Sequence, residues 1–300
     1  MNALTPSAVA GIPLTRGSNG GRARIAVPSK GRLRDEALTL LATAGYPTSG
    51  LRGAGSAAMA GDTLELIEMR PRDAAAALAA EALDGAFIAT DIAMEHGITD
   101  LVARPLGYAR STLVIASRDD DGRSTLADLA GGVVATHMPN LTTAFFAEHG
   151  VDVTVVAMGG SLEGVCAAGL ADAIVDNTET GTSLRQNRLK VLAEIKRCEA
   201  EFVHRPGHAA LANLELRLEA ALAARQHRYV MLHVPKDRIA DLVQLFSGLE
   251  SPTVLPLAGR EDLAAVHFVV HNGELWERLT DLRALGATDI VATQPVALLE

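Results

Sequence analysis

Short apolar runs alternate with amphipathic stretches along most of the chain, and this alternation predicts an α/β fold. Each run is bounded by glycine, proline or charged residues, and apolar residues spaced three or four apart follow it in a helical pattern. The predicted strands before residue 200 are Arg24–Pro28, Leu64–Met69, 84–91, Thr112–Ser117, the start of 133–141, Val151–Met158, Ala171–Val175 and Leu189–Lys196. The predicted helices are Leu33–Ala44, one ending near Leu83, one ending at Gly150, one opening at Leu184 and Ala209–Arg225.

The pattern changes from Tyr229 onward to a compact β-α-β-β-α-β order, which is typical of a ferredoxin-like unit. The predicted elements are the strand Tyr229–Val234, the helix Lys236–Phe246, the strands Thr253–Leu257 and Ala264–Val270, the helix Leu275–Leu285 and the strand Ile290–Thr293. A separate C-terminal domain is therefore expected. The strand Leu189–Lys196 is expected to return toward the first lobe of the preceding α/β region.

The stretch 159–184 combines a buried strand, a loop of small polar residues and a helix start. Asp176 is expected to close the strand, and Gly181 lies among hydroxyl residues. Unsatisfied backbone N–H groups at a helix start bind anions, and glycine permits close approach of a phosphate. The loop therefore predicts a phosphate cradle, although an ordinary strand-turn-helix with N-capping threonines has the same spacing.

An acid directly before such a loop would repel a phosphate, so Asp176 needs another role. Accepting hydrogen bonds from sugar hydroxyls, or holding a cation-bound ligand, would provide one. A sugar phosphate meets both requirements, because its ribose offers the hydroxyls and its phosphate fits the loop.

Composition and charge narrow the classes of function. The chain has 48% hydrophobic residues, enough for buried cores. Its formal net charge of −9 argues against nucleic acid as a partner. No apolar run reaches the ~18 residues that a membrane helix needs. Residues 1–23 are interpreted as a disordered lead-in without a secretory signal, and the protein is expected to be cytoplasmic.

The cysteines and histidines suggest no metal site. Cys166 and Cys198 are too few for a disulfide framework or a zinc site. The pair His204 and His208 is interrupted by a proline and a glycine, which break a helix. A metal pair at His267 and His271 would lack a third ligand, and His137 by itself is read as an ordinary polar residue.

The central stretch resembles the signature of ATP phosphoribosyltransferase, the first enzyme of histidine biosynthesis. The residues at the signature spacing are Glu163, Gly169, Ala171, Ile174, Asp176, Thr180, Gly181 and Leu184. The string P-x-K-G-R-L at 28–33 is similar to the opening of that family, and 133–141 also follows it. The strings at 251–258 and 285–290 resemble the regulatory domain of the long form.

The chain departs from the family pattern at several positions. Asn177 stands where an aliphatic residue is usual, and Ser183 stands where a threonine is usual but keeps the hydroxyl. Ala86 and Ala89 stand where the family usually has glycines, and their methyl groups are expected to reduce the room for a bound ligand beside this strand. Thr112 lies where arginine is usual, and whether Arg110 replaces it stays open.

The resemblance implies a two-lobed, periplasmic-binding-protein-like α/β catalytic core and a C-terminal ferredoxin-like (ACT-like) regulatory domain. Lobe I is expected at 24–111, completed by about 190–225, lobe II at 112–189, and the regulatory domain at 226–300. The family transfers phosphoribosyl from phosphoribosyl pyrophosphate to N1 of ATP with Mg²⁺, releasing pyrophosphate. Histidine is the implied effector and a homo-oligomer, dimer to hexamer, the implied assembly.

The resemblance also implies roles for residues. The catalytic set is Asp176, Glu163, Lys30 and Arg32. The expected contacts of phosphoribosyl pyrophosphate are Asp176, Thr178, Glu179, Thr180, Gly181, Thr182, Ser183 and Leu184. Those of ATP are Arg32, Arg70, Asp73 and Asp91, and the regulatory residues are Thr253, Leu255, Ala265 and His267. No metal site made of side chains alone is expected, since the substrate brings the Mg²⁺.

Two other functions stay open. A paralogous phosphoribosyltransferase would keep the cradle but use another acceptor, a reading that Ala86, Ala89 and Thr112 support. A non-catalytic ligand-binding protein of the same fold is the second, although such binders are usually exported.

Overall fold

The computed structural model describes residues 21–51, 56–98, 100–246, 249 and 252–299. Of the predicted disordered lead-in, residues 1–20 lie outside the described residues. In the described ranges no helix combines the length and the apolar character that crossing a membrane requires.

Strands and helices alternate as the hydrophobic pattern predicts. The strands are β1 (Ala23–Pro28), β2 (Ala57–Ala60), β3 (Leu64–Met69), β4 (Gly85–Ala89), β5 (Val102–Pro105), β6 (Ser111–Arg118), β7 (Val133–Thr136), β8 (Thr154–Ala157), β9 (Ala173–Thr178), β10 (Leu189–Cys198), β11 (Ala200–His204), β12 (His227–Pro235), β13 (Thr253–Leu257), β14 (Arg260–His271) and β15 (Thr288–Thr293). The helices are α1 (Gly31–Thr43), α2 (Pro71–Ala79), α3 (Thr90–Glu95), α4 (Pro139–Glu148), α5 (Leu162–Ala167), α6 (Thr182–Gln186), α7 (Ala209–Gln226), α8 (Ile239–Leu245) and α9 (Asn272–Ala284).

The sheet of the first lobe has the order β2-β3-β1-β4-β11-β5 among the described residues. Strand β1 runs parallel to β3 and β4, whereas β11 is antiparallel to β4 and β5. Alanine-rich α2 packs against the sheet because its inward face is small, with Ala74, Ala75 and Leu78 buried. The carboxyl ends of β1, β3 and β4 therefore lie at one edge, where ligands bind in such sheets.

The sheet of the second lobe has the order β10-β6-β9-β7-β8 in the described chain. Strand β10 pairs with β6 in an antiparallel register from Leu189 to Cys198. Strand β10 therefore runs back along β6 toward the first lobe, as predicted, but it belongs to the sheet of the second lobe. The return is completed by β11, a strand that the sequence analysis missed because β10 and β11 are separated by only one residue, Glu199.

A separate antiparallel sheet with the order β13-β14-β12-β15 lies near the C-terminus. This order and the intervening helices are those of a ferredoxin-like fold, as predicted. One face of the sheet packs on α8 and α9 through a core that includes Val230, Leu232, Val266, Leu242 and Leu282. The fold class predicted from the sequence, a two-lobed α/β core and a C-terminal ferredoxin-like domain, is confirmed.

The described chain divides into two compact units. The first contains the residues up to Thr39 together with Pro47–Ala212, and so includes both lobes. The second contains Leu40–Tyr46 and Asn213–Glu300. Helix α7, predicted to complete the first lobe, thus lies mostly in the second unit, and the predicted lobe boundaries stay predictions.

Both cysteines are buried and free, as small hydrophobic residues would be. Burial raises the pKa of the Cys198 thiol to about 12, so this group is uncharged at neutral pH.

Candidate active site

The loop at the end of β9 is built around Gly181. Strand β9 continues to Thr178, two residues beyond the predicted end at Asp176. Gly181 has φ +69°, in the left-handed region that favours glycine, and its N–H donates to Thr178 Oγ1 at 2.8 Å. Leu184 is buried in the second lobe and anchors the following helix. The predicted phosphate loop is therefore a tight turn with a defined backbone.

Arg185 closes over this loop. Its Nη1 donates to the Thr180 carbonyl at 3.0 Å, and its Nη2 donates to Thr182 Oγ1 at 3.1 Å. The hydroxyls of Thr180 and Thr182 are themselves 2.9 Å apart. Helix α6 has only five residues, so its dipole contributes little. The guanidinium adds a full positive charge where a phosphate is expected.

Sequence reasoning missed Arg185. The available signal was its position in the helix that follows the loop, four residues after Gly181. That spacing places a helical side chain above the preceding turn.

Two acidic side chains lie beside the loop, and their pKa values are shifted in opposite directions. Glu163 accepts from Ser183 Oγ at 2.5 Å and from Ser161 Oγ at 3.2 Å, and these hydrogen bonds lower the pKa of its carboxyl. Burial raises the pKa of Asp176, and the negative charges of Glu163 and Asp91 raise it further. The departure at Ser183 thus keeps a working hydroxyl, which orients Glu163.

His137 lies near both acids, and its positive form would lower the pKa of each. Its Nδ1 is 2.5 Å from the carbonyl oxygen of Met158; since a carbonyl only accepts, Nδ1 bears the hydrogen. The sequence analysis treated His137 as an ordinary polar residue. Its position follows from topology, because β7 is the parallel neighbour of β9 and their carboxyl ends meet.

The charged residues predicted from the first lobe lie mainly in solvent. Lys30, Arg70 and Asp73 are exposed. Arg32 and Glu179 form a loose ion pair of 3.6 Å, in which both side chains are more than 60% exposed. Pairs of this kind contribute little to stability, so Arg32 is available to a substrate anion.

A 430 Å³ cleft lies between the lobes. Arg72 lines it and donates a hydrogen bond to the backbone oxygen of His137. The other lining residues are Asp73, Ala76, Glu95, His96, Pro139, Ala157, Met158 and Gly159, together with His137. Of the residues predicted to bind ATP, Asp73 is thus in the cleft, whereas Arg32 and Arg70 do not line it.

Asp91 is 4% exposed, and its Oδ2 accepts from Asn177 Nδ2 at 2.7 Å. Burial raises the pKa of its carboxyl, and the hydrogen bond from Asn177 partly offsets this rise. The carboxyl predicted to contact ATP is therefore turned toward the second lobe in this structure.

The positions that depart from the family pattern differ in their surroundings. Ala86 is fully buried in the core of the first lobe, so its methyl group packs against protein. Ala89 is half-buried at the end of β4. Thr112 pairs directly with Arg197 across β6 and β10, and both line a 380 Å³ cavity that Arg110 also lines. Guanidinium groups are therefore present beside Thr112.

The four predicted regulatory residues form two cross-strand pairs between β13 and β14. Thr253 pairs with His267, and Leu255 pairs with Ala265. Directly opposed residues point to the same face of a sheet, so all four share one face. Tyr229 lies on β12, the neighbour of β14, and its hydroxyl is 2.9 Å from His267 Nδ1. The four residues predicted to be regulatory therefore form one continuous patch on this face of the sheet.

The described residues contain no group of three or more His, Cys, Asp or Glu side chains that could hold a metal ion alone. Glu163 and Asp176 nevertheless offer hard carboxylate oxygens beside the loop. Such oxygens suit a divalent cation that takes its remaining ligands from phosphates and water.

The chain matches the family described as ATP phosphoribosyltransferase (HisG) over residues 70–223, and the HisG C-terminal domain over residues 224–294. It is 35% identical over 292 residues to the ATP phosphoribosyltransferase of Halorubrum lacusprofundi, covering 90% of this chain and 98% of that protein. The enzyme of the same name from Maricaulis maris is 35% identical over 282 residues, covering 90% and 96%.

Among solved structures, the chain is similar to one from the ATP phosphoribosyl transferase (HisG:HisZ) complex of Thermotoga maritima. The TM-score is 0.56 and the sequence identity 28%, with 66% of this chain and 98% of that chain covered. The match of two successive family domains, and of relatives along nearly their whole length, agrees with the loop geometry. The chain belongs to the ATP phosphoribosyltransferase family.

Proposed function

We propose that the protein transfers the phosphoribosyl group of phosphoribosyl pyrophosphate to N1 of ATP, the first step of histidine biosynthesis. The observation that carries this proposal is the Gly181 loop, which has hydroxyl, backbone N–H and guanidinium donors on one side and two carboxyl groups beside it. Family membership supplies the reaction type.

In this reaction the N1 lone pair of adenine attacks C1′, and the bond from C1′ to the pyrophosphate oxygen breaks. Pyrophosphate departs with the electron pair, and no proton has to be removed from N1. The site therefore needs groups that align two anionic substrates and stabilise charge, and a strong general base is unnecessary.

Residues of the second lobe would hold the ribose 5-phosphate. Thr180, Gly181, Thr182 and Ser183 contact its 5′-phosphate, with Arg185 as an added cation. Asp176 and Glu163 accept from the ribose hydroxyls or contact a cation on the ribose. Asp176 is also suited to stabilise positive charge at C1′, because a half-buried carboxylate interacts more strongly than a solvated one.

Residues of the first lobe would neutralise the polyphosphates. Lys30, Arg32 and Arg70 are exposed cations at the carboxyl ends of β1 and β3. The family uses a divalent metal ion, and we assign Mg²⁺, which neutralises the leaving pyrophosphate when bound. Glu163 and Asp176 are the side chains that would face it.

ATP is favoured over another acceptor by two observations. The Ala86 methyl group lies in the protein core and takes no ligand space. Arg110 and Arg197 supply positive charge beside Thr112, where the family usually has arginine. A paralogous enzyme with another acceptor stays as the second candidate because Ala89 lies near the end of β4.

Histidine is the proposed effector, and a homo-oligomer from dimer to hexamer the proposed assembly. The C-terminal domain match and the shared face of Thr253, Leu255, Ala265 and His267 support the regulatory assignment. Tyr229 and His267 offer hydrogen-bonding groups on that face. Coupling to catalysis requires two states that differ in affinity for histidine.

The test is to incubate the protein with phosphoribosyl pyrophosphate, ATP, Mg²⁺ and a pyrophosphatase. We expect phosphoribosyl-ATP, detected by ultraviolet absorbance and mass spectrometry, and a lower rate after histidine is added. GTP in place of ATP controls for acceptor choice. If no product forms but phosphoribosyl pyrophosphate raises the melting temperature, the paralogous reading replaces this one. No thermal shift with either substrate would favour a non-catalytic binder of other ligands.

A further inference from the structure

Helix α3 of the first lobe directs two buried acids toward the second lobe. Asp91 and Glu95 are four residues apart, on one face of the helix, and are 4% and 7% exposed. The Glu95 carboxylate accepts from the backbone N–H groups of Asn140 and Leu141 at 3.2 and 2.9 Å. Since buried carboxylates need partners, α3 ties the lobes together through groups that each lobe would otherwise leave unpaired.

Asn177 is the second-lobe partner of Asp91. Its Nδ2 donates to Asp91 Oδ2 at 2.7 Å, and its Oδ1 accepts from Ser111 Oγ at 3.2 Å. Ser111 opens β6, the strand by which the chain enters the second lobe. Both ends of the amide are therefore in use, which fixes its orientation between α3 and the crossing segment.

The same residue is adjacent to Asp176. The backbone N–H of Asn177 donates to Asp176 Oδ1 at 2.8 Å, so it also sets the rotamer of the neighbouring carboxyl. Any displacement of Asn177 displaces Asp176 with it, because the two share a peptide bond. A misplacement of about 1 Å in an active site can cost about 100-fold in rate.

An aliphatic side chain at position 177 could not donate to Asp91. The buried carboxyl would lose the hydrogen bond from the Asn177 amide and would keep only the backbone N–H groups of its own helix as described partners. Asp91 and Asn177 are thus chemically matched in this chain.

We propose that Asn177 is a positioning residue, whose amide couples the strand bearing Asp176 to the buried Asp91 of α3 and so sets the alignment of the lobes for phosphoribosyl transfer. This inference rests on the proposed function for its kinetic test. Asn177 itself is not assigned a contact with either substrate.

The test compares Asn177→Leu, Asn177→Asp and the exchanged pair Asp91→Asn with Asn177→Asp. Asn177→Leu removes the amide that donates to Asp91, and Asn177→Asp places a second carboxylate against that of Asp91. The exchanged pair rebuilds an amide–carboxylate bond with its direction reversed, and Ser111 can still donate to the new carboxylate. Asn213→Leu, an exposed position on α7, is the matched control.

We expect kcat to fall about 100-fold in both single variants, while the KM for phosphoribosyl pyrophosphate changes less than threefold, since the cradle is intact. The exchanged pair should recover at least tenfold over Asn177→Asp, and the control should equal the wild type. Unchanged kcat in Asn177→Leu, or no recovery in the exchanged pair when its melting temperature equals the wild-type value, would overturn the proposal.

Hydrogen exchange separates this proposal from the proposed function, because it needs no turnover. Asn177→Leu should raise amide exchange in α3 and at the start of β6, and the exchanged pair should reduce it again. If the wild type makes no phosphoribosyl-ATP but these exchange changes occur, only the proposed function fails. If it makes product and exchange is unaltered, only the positioning role fails.

Discussion

The two halves of the candidate site differ in how firmly their polar groups are held. Around the Gly181 loop, Ser183 is hydrogen-bonded to Glu163, and Arg185 is hydrogen-bonded to Thr180 and Thr182. In the first lobe, Lys30 and Arg70 are exposed at helix starts. One half is preorganised for a fixed group, and the other can follow a flexible polyphosphate.

This difference has an energetic reason. A ribose 5-phosphate presents the same few atoms throughout the reaction, so donors fixed in advance lose less entropy on binding than mobile ones do. Polyphosphate groups change position as pyrophosphate departs, and long exposed cations can move with them. Substitutions in the loop should therefore affect binding steeply, whereas single losses among the first-lobe cations should act more gently.

The largest effect is expected at the centre of the preorganised half. Gly181→Val should abolish measurable binding of phosphoribosyl pyrophosphate, because a Cβ there would lie 3.0 Å from Arg185 Nη1 and the backbone has φ +69°. Isothermal titration with phosphoribosyl pyrophosphate measures the loss. Gly207→Val is the control for strain: it has φ +88°, and a Cβ there would have no neighbour within 4 Å. A wild-type dissociation constant in Gly181→Val would refute the cradle.

The next largest effect is expected at Asp176, whose partly buried charge lowers the stability of the folded protein. Asp176→Asn, like Asp176→Ala, should reduce kcat by about 100-fold or more, since a charge aimed at the reacting sugar is lost. The fold should tolerate asparagine, which is nearly isosteric. Near-normal turnover would remove Asp176 from the site.

The stability of the same variant has a predictable sign. Burial raises the pKa of Asp176 in the folded protein, so the folded state binds this proton more tightly than the unfolded state does. The stability that the protonated group contributes is complete below the unfolded pKa and is lost as pH rises through the folded pKa. Asp176→Asn should therefore melt at a higher temperature than the wild type at pH 7, and the gap should shrink toward pH 3.

The preorganised half was also the more predictable from sequence. Strand β9, the small residues after it and the helix start are read by local patterns, and these placed Asp176, Gly181 and Leu184 correctly on the strand, turn and helix. The strand end was misjudged by two residues because Asn177 and Thr178 are polar yet pair with β6. Local polarity does not report a pairing partner.

Long-range relations could not be predicted in this way. That Asp91 meets Asn177, or that His137 lies beside Glu163, depends on which strands are neighbours and how the lobes meet. Two of the missed strands, β5 and β11, have the same cause, since each is short and gains its hydrogen bonds from strands distant in sequence. Sequence identified most of the chemistry-bearing residues but not Arg185 or His137, and topology decided which of them act together.

The smallest effect is expected in the loosely held half, and it tests the comparison most directly. Arg70→Ala should raise the KM for ATP by about tenfold with an unchanged melting temperature, because an exposed cation is lost and other cations remain to share its load. Arg34→Ala is the matched control: Arg34 is held by Glu68 at 2.5 Å and donates to the Leu51 carbonyl at 2.6 Å. Arg34→Ala should lower the free energy of unfolding by about 1–3 kcal/mol, and with it the melting temperature. It should leave the KM for ATP unaltered. Steady-state kinetics and thermal unfolding of both variants measure the two effects. If Arg70→Ala instead destabilises the fold, or eliminates activity as Gly181→Val should, the first lobe is as rigidly organised as the loop and the contrast between the halves fails.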